Sequence, residues 1–258
     1  MEFSFTKYQA AGNDFVVIDD RKRLFDSTNE KYINFLCDRR KGVGADGLIL
    51  LRNHLNADFE MLYFNADGKQ GSMCGNGGRC IVDFAKHLGM INEYCRFMAV
   101  DGLHEAKWTA EKVALKMLDV AEIKSRKEYV FLNTGSPHHI QFVNDLDNFP
   151  VYKTGKSIRF SDLYKEEGVN VNFVEISNTR CRVRTYERGV EDETLACGTG
   201  VTAVVIALHY NNKIDANNLT VETRGGKLEV SFDFFEKTYH NIWLTGKTEK
   251  VFKGEIVC

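Results

Sequence analysis

Proline is almost absent: 2 residues in 258, with no tract rich in serine, glycine and proline, which excludes long linkers and extensive disorder. An excess of one charge sign is missing too. The chain carries 34 Lys and Arg against 36 Asp and Glu, a formal charge of −2, so it has no basic field for a polyanion and nucleic acid is not an expected partner. The longest apolar run in the helix-like segment of the second half, Ala203 to Leu208, is far too short to cross a bilayer, so no membrane partner is expected. Met1 to Phe15 lacks a basic region followed by an apolar stretch, so no secretory signal is expected. The 7 cysteines are odd in number and never spaced as Cys-x-x-Cys, a poor disulfide framework. Reduced thiols in a cytoplasmic protein are expected instead.

Hydrophobic residues make up 43% of the sequence and charged residues 27%, which suits a globular chain with a sizeable core. Laid on itself, the chain repeats at an offset of 123 residues. Cys74-Gly75-Asn76-Gly77 recurs as Cys197-Gly198-Thr199-Gly200, and Tyr63-Phe64-Asn65 maps onto Tyr186-Glu187-Arg188. Ala11-Gly12-Asn13-Asp14 falls on Thr134-Gly135-Ser136-Pro137, and Asp101-Gly102 on Arg224-Gly225. This period exceeds that of any solenoid repeat. It predicts two related domains, 1–118 and 119–258, with the polar stretch Asp119 to Lys127 as the crossing. Strand patterns dominate each half, as in Phe59 to Phe64, Cys181 to Tyr186 and Leu219 to Asp233 with its Gly225-Gly226 turn. A helix follows each Cys-Gly-x-Gly, and the second, from about Thr199 to Tyr210, is apolar nearly all round and belongs inside a core. A further amphipathic helix is predicted over Asn29 to Asp38. The expected fold is α+β: two pseudo-symmetric halves with strands wrapped about a helix and a cleft between them.

In each half a cysteine precedes a glycine-rich turn and a helix start. Free backbone N–H groups and the positive dipole end stabilise an anion there, and lower a thiol from its reference of about 8.5. Two such units facing one substrate carbon suit inversion of configuration, one thiolate removing a proton and the opposite thiol returning one. A carboxylate held on the same N–H groups would take the developing charge. Asn13, Asn65 and Asn76 can add hydrogen bonds, and Arg188 can fork onto a carboxylate.

The other cysteines, Cys37, Cys80, Cys95, Cys181 and Cys258, read as small buried hydrophobes. Zinc is not expected, since neither Cys74 nor Cys197 has a partner at ligand spacing. Gly42-Val43-Gly44-Ala45-Asp46-Gly47 matches G-x-G-x-x-G, but it follows a basic stretch and precedes a strand, the reverse of a dinucleotide fingerprint. Pro137 places His138 and His139 in a loop, where a histidine is ordinarily solvated.

Taken together, Ala11-Gly12-Asn13-Asp14-Phe15, Gly42 to Gly47, Phe64-Asn65-Ala66-Asp67-Gly68, Cys74-Gly75-Asn76-Gly77, Tyr186-Glu187-Arg188-Gly189 and Ala196-Cys197-Gly198-Thr199-Gly200 resemble the diaminopimelate epimerase family over nearly the whole chain. The resemblance implies an isomerase needing no cofactor and no metal, which interconverts LL- and meso-diaminopimelate on the route to lysine and peptidoglycan. It implies that Cys74 and Cys197 are the acid–base thiols. Asn13, Asn65, Asn170, Glu187 and Arg188 would contact substrate, and Gly75-Asn76 with Gly198-Thr199 would cradle the α-carboxylate. His138 and Glu187 stand where the family tunes its thiols; a homodimer is implied, and so is a C-terminal end that returns to pack on the first half. Departures appear: Gly47 where many relatives carry Gln, Ser136 where many carry Asn, and a turn between Arg188 and Cys197 one residue longer than in many relatives. Gly47 and Ser136 stay outside the expected site. A racemase acting on a cyclic amino acid, and a non-catalytic amino-acid-binding module, remain the alternatives.

Overall fold

A computed structural model describes residues 2–109, 111–177 and 180–257; Cys258 lies outside them. In chain order the elements are β1 (Glu2–Ala10), β2 (Asn13–Asp19), α1 (Glu30–Cys37), β3 (Gly47–Arg52), β4 (Phe59–Asn65), α2 (Gly75–His87), β5 (Tyr94–Ala99), β6 (Gly102–Trp108) and β7 (Val113–Lys116). These are followed by β8 (Ile123–Ser125), β9 (Val130–Asn133), β10 (Pro137–Phe142), α3 (Val151–Arg159), β11 (Asn170–Ser177), β12 (Arg180–Glu187), β13 (Asp192–Thr194) and α4 (Gly198–Tyr210). The last are β14 (Asn218–Thr223), β15 (Gly226–Phe235), β16 (Thr238–Gly246) and β17 (Glu249–Val257). The chain forms two compact units, Met1–Leu115 with Gly246–Cys258, and Lys116–Thr245.

In the first unit β17 pairs antiparallel with β1 and β1 with β2. From β2 onward parallel and antiparallel pairs alternate: β2 with β3 parallel, β3 with β4 antiparallel, β4 with β5 parallel, β5 with β6 antiparallel. In the second unit β9 and β10 pair antiparallel, then β10 with β11 parallel, β11 with β12 antiparallel, β12 with β14 parallel, and β14 with β15 antiparallel. The alternation is the same, and Phe15 opposite Gly47 in one unit becomes His138 opposite Asn170 in the other.

One helix fills the centre of each unit. In α2 every residue from Asn76 to Ala85 is buried, among Phe15, Ile49, Met61, Phe97 and Leu115. In α4 the run Val201 to Leu208 is buried among Ile140, Val183, Leu228 and Leu244. Each buried Val, Leu or Ile side chain contributes about 1.5–3 kcal/mol, so an apolar stripe on every face demands strands all round it. Helix α1 is capped by Asn29, whose side chain accepts from the Tyr32 amide at 3.1 Å, and it seats Ile33 and Leu36 on a separate apolar layer.

Three features depart from the sequence expectation. Helix α3 was not anticipated: it buries only Val151 and Gly155, too sparse a stripe to read. Strand β8 lies inside the stretch expected to be an irregular crossing; it pairs with β9, which half-buries Ile123. His138 and His139 are not in a loop but in β10, buried between β9 and β11.

Candidate active site

Cys74 and Cys197 take the same place in their units. Each is the extended residue capping a 13-residue helix, and neither makes a side-chain cap hydrogen bond to the helix backbone. Each sulfur stands beside a helix start, where N–H groups lack intrahelical partners. Their backbone carbonyls begin the helices, accepting from Gly78 at 2.7 Å and Val201 at 2.9 Å. Glycine is required at this turn. A Cβ at Gly200 would sit 2.4 Å from Asn172 Oδ1, and one at Gly198 would sit 2.7 Å from Leu244.

In the first unit the Cys74 thiol donates to Asn13 Oδ1 at 3.4 Å, and Asn76 Nδ2 donates to the same oxygen at 3.4 Å. Asn13 is held by its other amide atom, Nδ2 donating to Asp46 Oδ2 at 2.7 Å. Behind it stands an ion network: Arg39 forks onto Asp14 at 2.9 and 2.7 Å and reaches Asp46 at 2.8 Å, while Lys7 pairs with Asp14 at 2.8 Å and donates to the Gly44 carbonyl. Burial pushes the Asp14 carboxyl up, but hydrogen bonds from Arg39 and Lys7 outweigh it and hold the group well below the usual carboxylate range. Asn76 Oδ1 accepts from Arg79 Nη2 at 2.6 Å, and Arg79 is fully buried. Asn65, at the end of β4, is exposed and makes no hydrogen bond to Asn13 or Cys74 among the described residues.

In the second unit Cys197 Sγ lies 3.4 Å from the Thr199 hydroxyl, which lies 3.0 Å from His138 Nε2. His138 is fully buried, and burial, with the Arg188 charge adding, pushes its pKa down to about 3. Asn170 is buried beside it across the parallel pair, and its Oδ1 accepts from the Arg188 amide at 2.8 Å. Arg188 is exposed; its guanidinium donates to the Glu167 carbonyl at 2.7 Å, and its Cδ packs over Gly168, where a Cβ would come within 2.6 Å of that carbon. Burial pushes Glu187 up from the carboxylate range against a hydrogen bond from Thr194 at 2.9 Å.

The structure thus brings Cys74, Asn13 and Asn76 together in one unit, and Cys197, Thr199 and His138 in the other. Sequence reasoning missed Asp46, Arg39, Arg79, Asn172 and Thr185. Asp46 and Arg39 lay within or beside a motif set aside as a failed nucleotide fingerprint. Arg79 lies within α2, and Asn172 and Thr185 are buried strand residues whose contacts are readable only once the strands are paired. Gly47 is explained by space: a Cβ there would meet the Phe64 carbonyl oxygen and the Tyr63 ring, each at 2.5 Å.

Among the described residues no cluster of His, Cys, Asp and Glu is arranged to hold a metal ion, and no helix is long and apolar enough to cross a membrane. The family model for diaminopimelate epimerase matches residues 5–123 and 130–251. A diaminopimelate epimerase of Flavobacterium psychrophilum is 52% identical over 252 residues, covering 97% of this chain and 98% of its own. One of Chlorobaculum tepidum is 42% identical, covering 95% and 98%. Among solved structures, a phenazine biosynthesis protein of Bacillus anthracis superposes with a TM-score of 0.75 over all of both chains at 14% identity; that likeness is one of fold.

Proposed function

This chain belongs to the diaminopimelate epimerase family and is an isomerase, and from that premise we propose that Cys74 and Cys197 interconvert LL- and meso-diaminopimelate without a cofactor. The observation that carries the reading is the duplication itself: two cysteines, one on each of two equal helices, in the same extended capping position. In the reaction one sulfur, as thiolate, takes the α-proton, and the electron pair left on carbon is delocalised into the α-carboxylate. The other sulfur, as thiol, gives its proton to the opposite face. Covalent bonding at carbon is restored with inverted configuration, and the two sulfurs have exchanged protonation states.

The amides of Gly75-Asn76 and Gly198-Thr199 receive the carboxylate whose charge grows in the transition state. Asn13, Asn65, Asn170, Glu187 and Arg188 hold the substrate's polar and charged groups, and His138 and Glu187 tune the sulfurs. The exposed Arg188 supports a substrate with a second charged end. The same reading extends to a cytoplasmic homodimer acting in lysine and peptidoglycan-precursor synthesis.

The test is incubation of the reduced protein, with neither pyridoxal phosphate nor metal, with LL-diaminopimelate in heavy water, followed by proton NMR and with proline in parallel. Loss of the α-proton signal with appearance of the meso isomer is the expected result. Exchange in proline alone would replace the substrate, and exchange in neither would favour a binding module.

A further inference from the structure

Under the first turn of α4 runs a chain of neutral hydrogen bonds whose directions can be read in order. Asn172 Nδ2 lies 3.3 Å from the His139 carbonyl oxygen, which can only accept. The Thr185 hydroxyl meets Asn172 Oδ1 at 3.0 Å. The amide is therefore oriented with its NH2 toward β10. The same Nδ2 lies 3.0 Å from His138 Nδ1, so Nδ1 accepts and the proton of the neutral ring sits on Nε2. Nε2–H donates to Thr199 Oγ1, and the threonine proton is left for Cys197 Sγ.

We propose that Asn172, backed by Thr185, is a positioning residue: it locks His138 in the Nε2–H tautomer, so that the Thr199 hydroxyl must donate to Cys197 and stabilise that sulfur as a thiolate. The use of that thiolate in proton abstraction rests on the epimerase reading; the hydrogen-bond chain does not. Were the proton on Nδ1 instead, Nε2 would accept from Thr199, whose proton would then point away from Cys197. The charged and titratable neighbours of His138 are engaged elsewhere. Arg188 acts on His138 from beyond β12, Glu187 takes the Thr194 hydroxyl, and His139 turns its Nδ1 to the Tyr164 hydroxyl at 3.1 Å.

The tautomer is read directly by long-range proton–nitrogen NMR of the full-length 15N-labelled protein, with the His138 signals identified by their loss in His138→Gln. The Nε2–H form is expected. Asn172→Asp, nearly isosteric, sets a carboxylate against Nδ1 and should move the proton there. The pH midpoint for iodoacetamide alkylation of Cys197, followed by peptide mass spectrometry, should then rise by about one unit while that of Cys74 stays in place. Asn172→Leu, which adds no charge, should shift Cys197 in the same direction, and Thr185→Val less. Thr199→Val should copy the shift and Thr199→Ser restore it. An Nδ1–H ring in the unaltered protein, or an unmoved Cys197 midpoint in folded Asn172→Leu and Thr199→Val, overturns the proposal. Neither readout uses substrate. A protein that shows the tautomer and the shifts but does not epimerise diaminopimelate keeps this inference and loses the functional one.

Discussion

The two units share a strand plan and differ in what they bury beneath the capping cysteine. At the repeat offset Phe15 corresponds to His138, Ile49 to Asn172 and Gly77 to Gly200. In the first unit a Cβ on Gly77 would meet Ile49 at 3.0 Å and Phe15 at 3.5 Å, an apolar floor. In the second the corresponding floor is the neutral His138–Asn172–Thr185 chain. The first unit keeps its charges elsewhere: one layer out in Asp46, Arg39, Asp14 and Lys7, and inside α2 in Arg79. Arg79 corresponds to Thr202, and both bond the carbonyl four residues back, Arg79 to Gly75 at 3.3 Å and Thr202 to Gly198 at 3.1 Å. A duplicated backbone therefore need not carry duplicated electrostatics. One sulfur sits near a buried guanidinium, the other at the end of a hydrogen-bond chain.

The largest effects should come where the units agree. Cys74→Ala and Cys197→Ala are each expected to lower kcat/KM by about a thousandfold, the scale of a lost acid or base, with circular dichroism unchanged. A variant of either that keeps near-native turnover would end the two-sulfur reading. Next comes a place where the units differ. Arg79→Met removes the Nη2 donor to Asn76 Oδ1 and the buried positive charge near Cys74. Arg79 pairs with no carboxylate among the described residues, and its Nε has no partner, so removing it relieves a desolvation cost. The expected result is a loss of about thirtyfold in kcat/KM, of the order of a charge-assisted contact, with Tm equal or higher. A large fall in Tm would make Arg79 structural.

How much of this was legible in the sequence follows from the same contrast. Helix α4 could be placed because its apolar residues cover every face, and α1 because Asn29 caps a regular stripe. Helix α3 escaped because its contact is made by Gly155, where a Cβ would press within 2.4 Å of Tyr186. A glycine advertises nothing about packing. The repeat held the missing signal: α1 carried forward by the offset falls on α3. Asn172 sits in Val171-Asn172-Phe173-Val174, and no local pattern says that its amide faces a histidine. That fact is made by the β10–β11 register. Polar residues inside apolar strands are the part of a site that pairing, rather than composition, assigns.

Acid should separate the units. Burial lowers His138 to about 3 and His139 to about 4 from 6.5, so between those values the unfolded chain binds protons that the folded chain refuses. Stability therefore falls as pH drops below about 6.5, by up to about 1.4 kcal/mol per unit for each histidine. Asp14 works in the opposite sense of timing. Its depressed carboxyl contributes stability that is complete above about pH 4 and is lost only below it. Hydrogen exchange from pH 7 to 4.5 should loosen α4 before α2, and His138→Gln should flatten the fall in Tm. Equal loosening of both helices would remove the contrast.

The smallest effect tests whether the matching bonds at Gly75 and Gly198 matter in themselves. Thr202→Val keeps shape and burial and deletes only the hydroxyl that bonds Gly198 O. That carbonyl keeps its helical partner, since an i−4 back-bond adds to the helix bond rather than replacing it. The change should therefore cost less than about 1 kcal/mol, and kcat/KM should stay within about twofold. Set beside Arg79→Met, a silent Thr202→Val would assign the effect at the corresponding position to the guanidinium charge and its grip on Asn76. A Thr202→Val loss as large as that of Arg79→Met would instead make the shared carbonyl bond the element both units need, and the electrostatic contrast between them secondary.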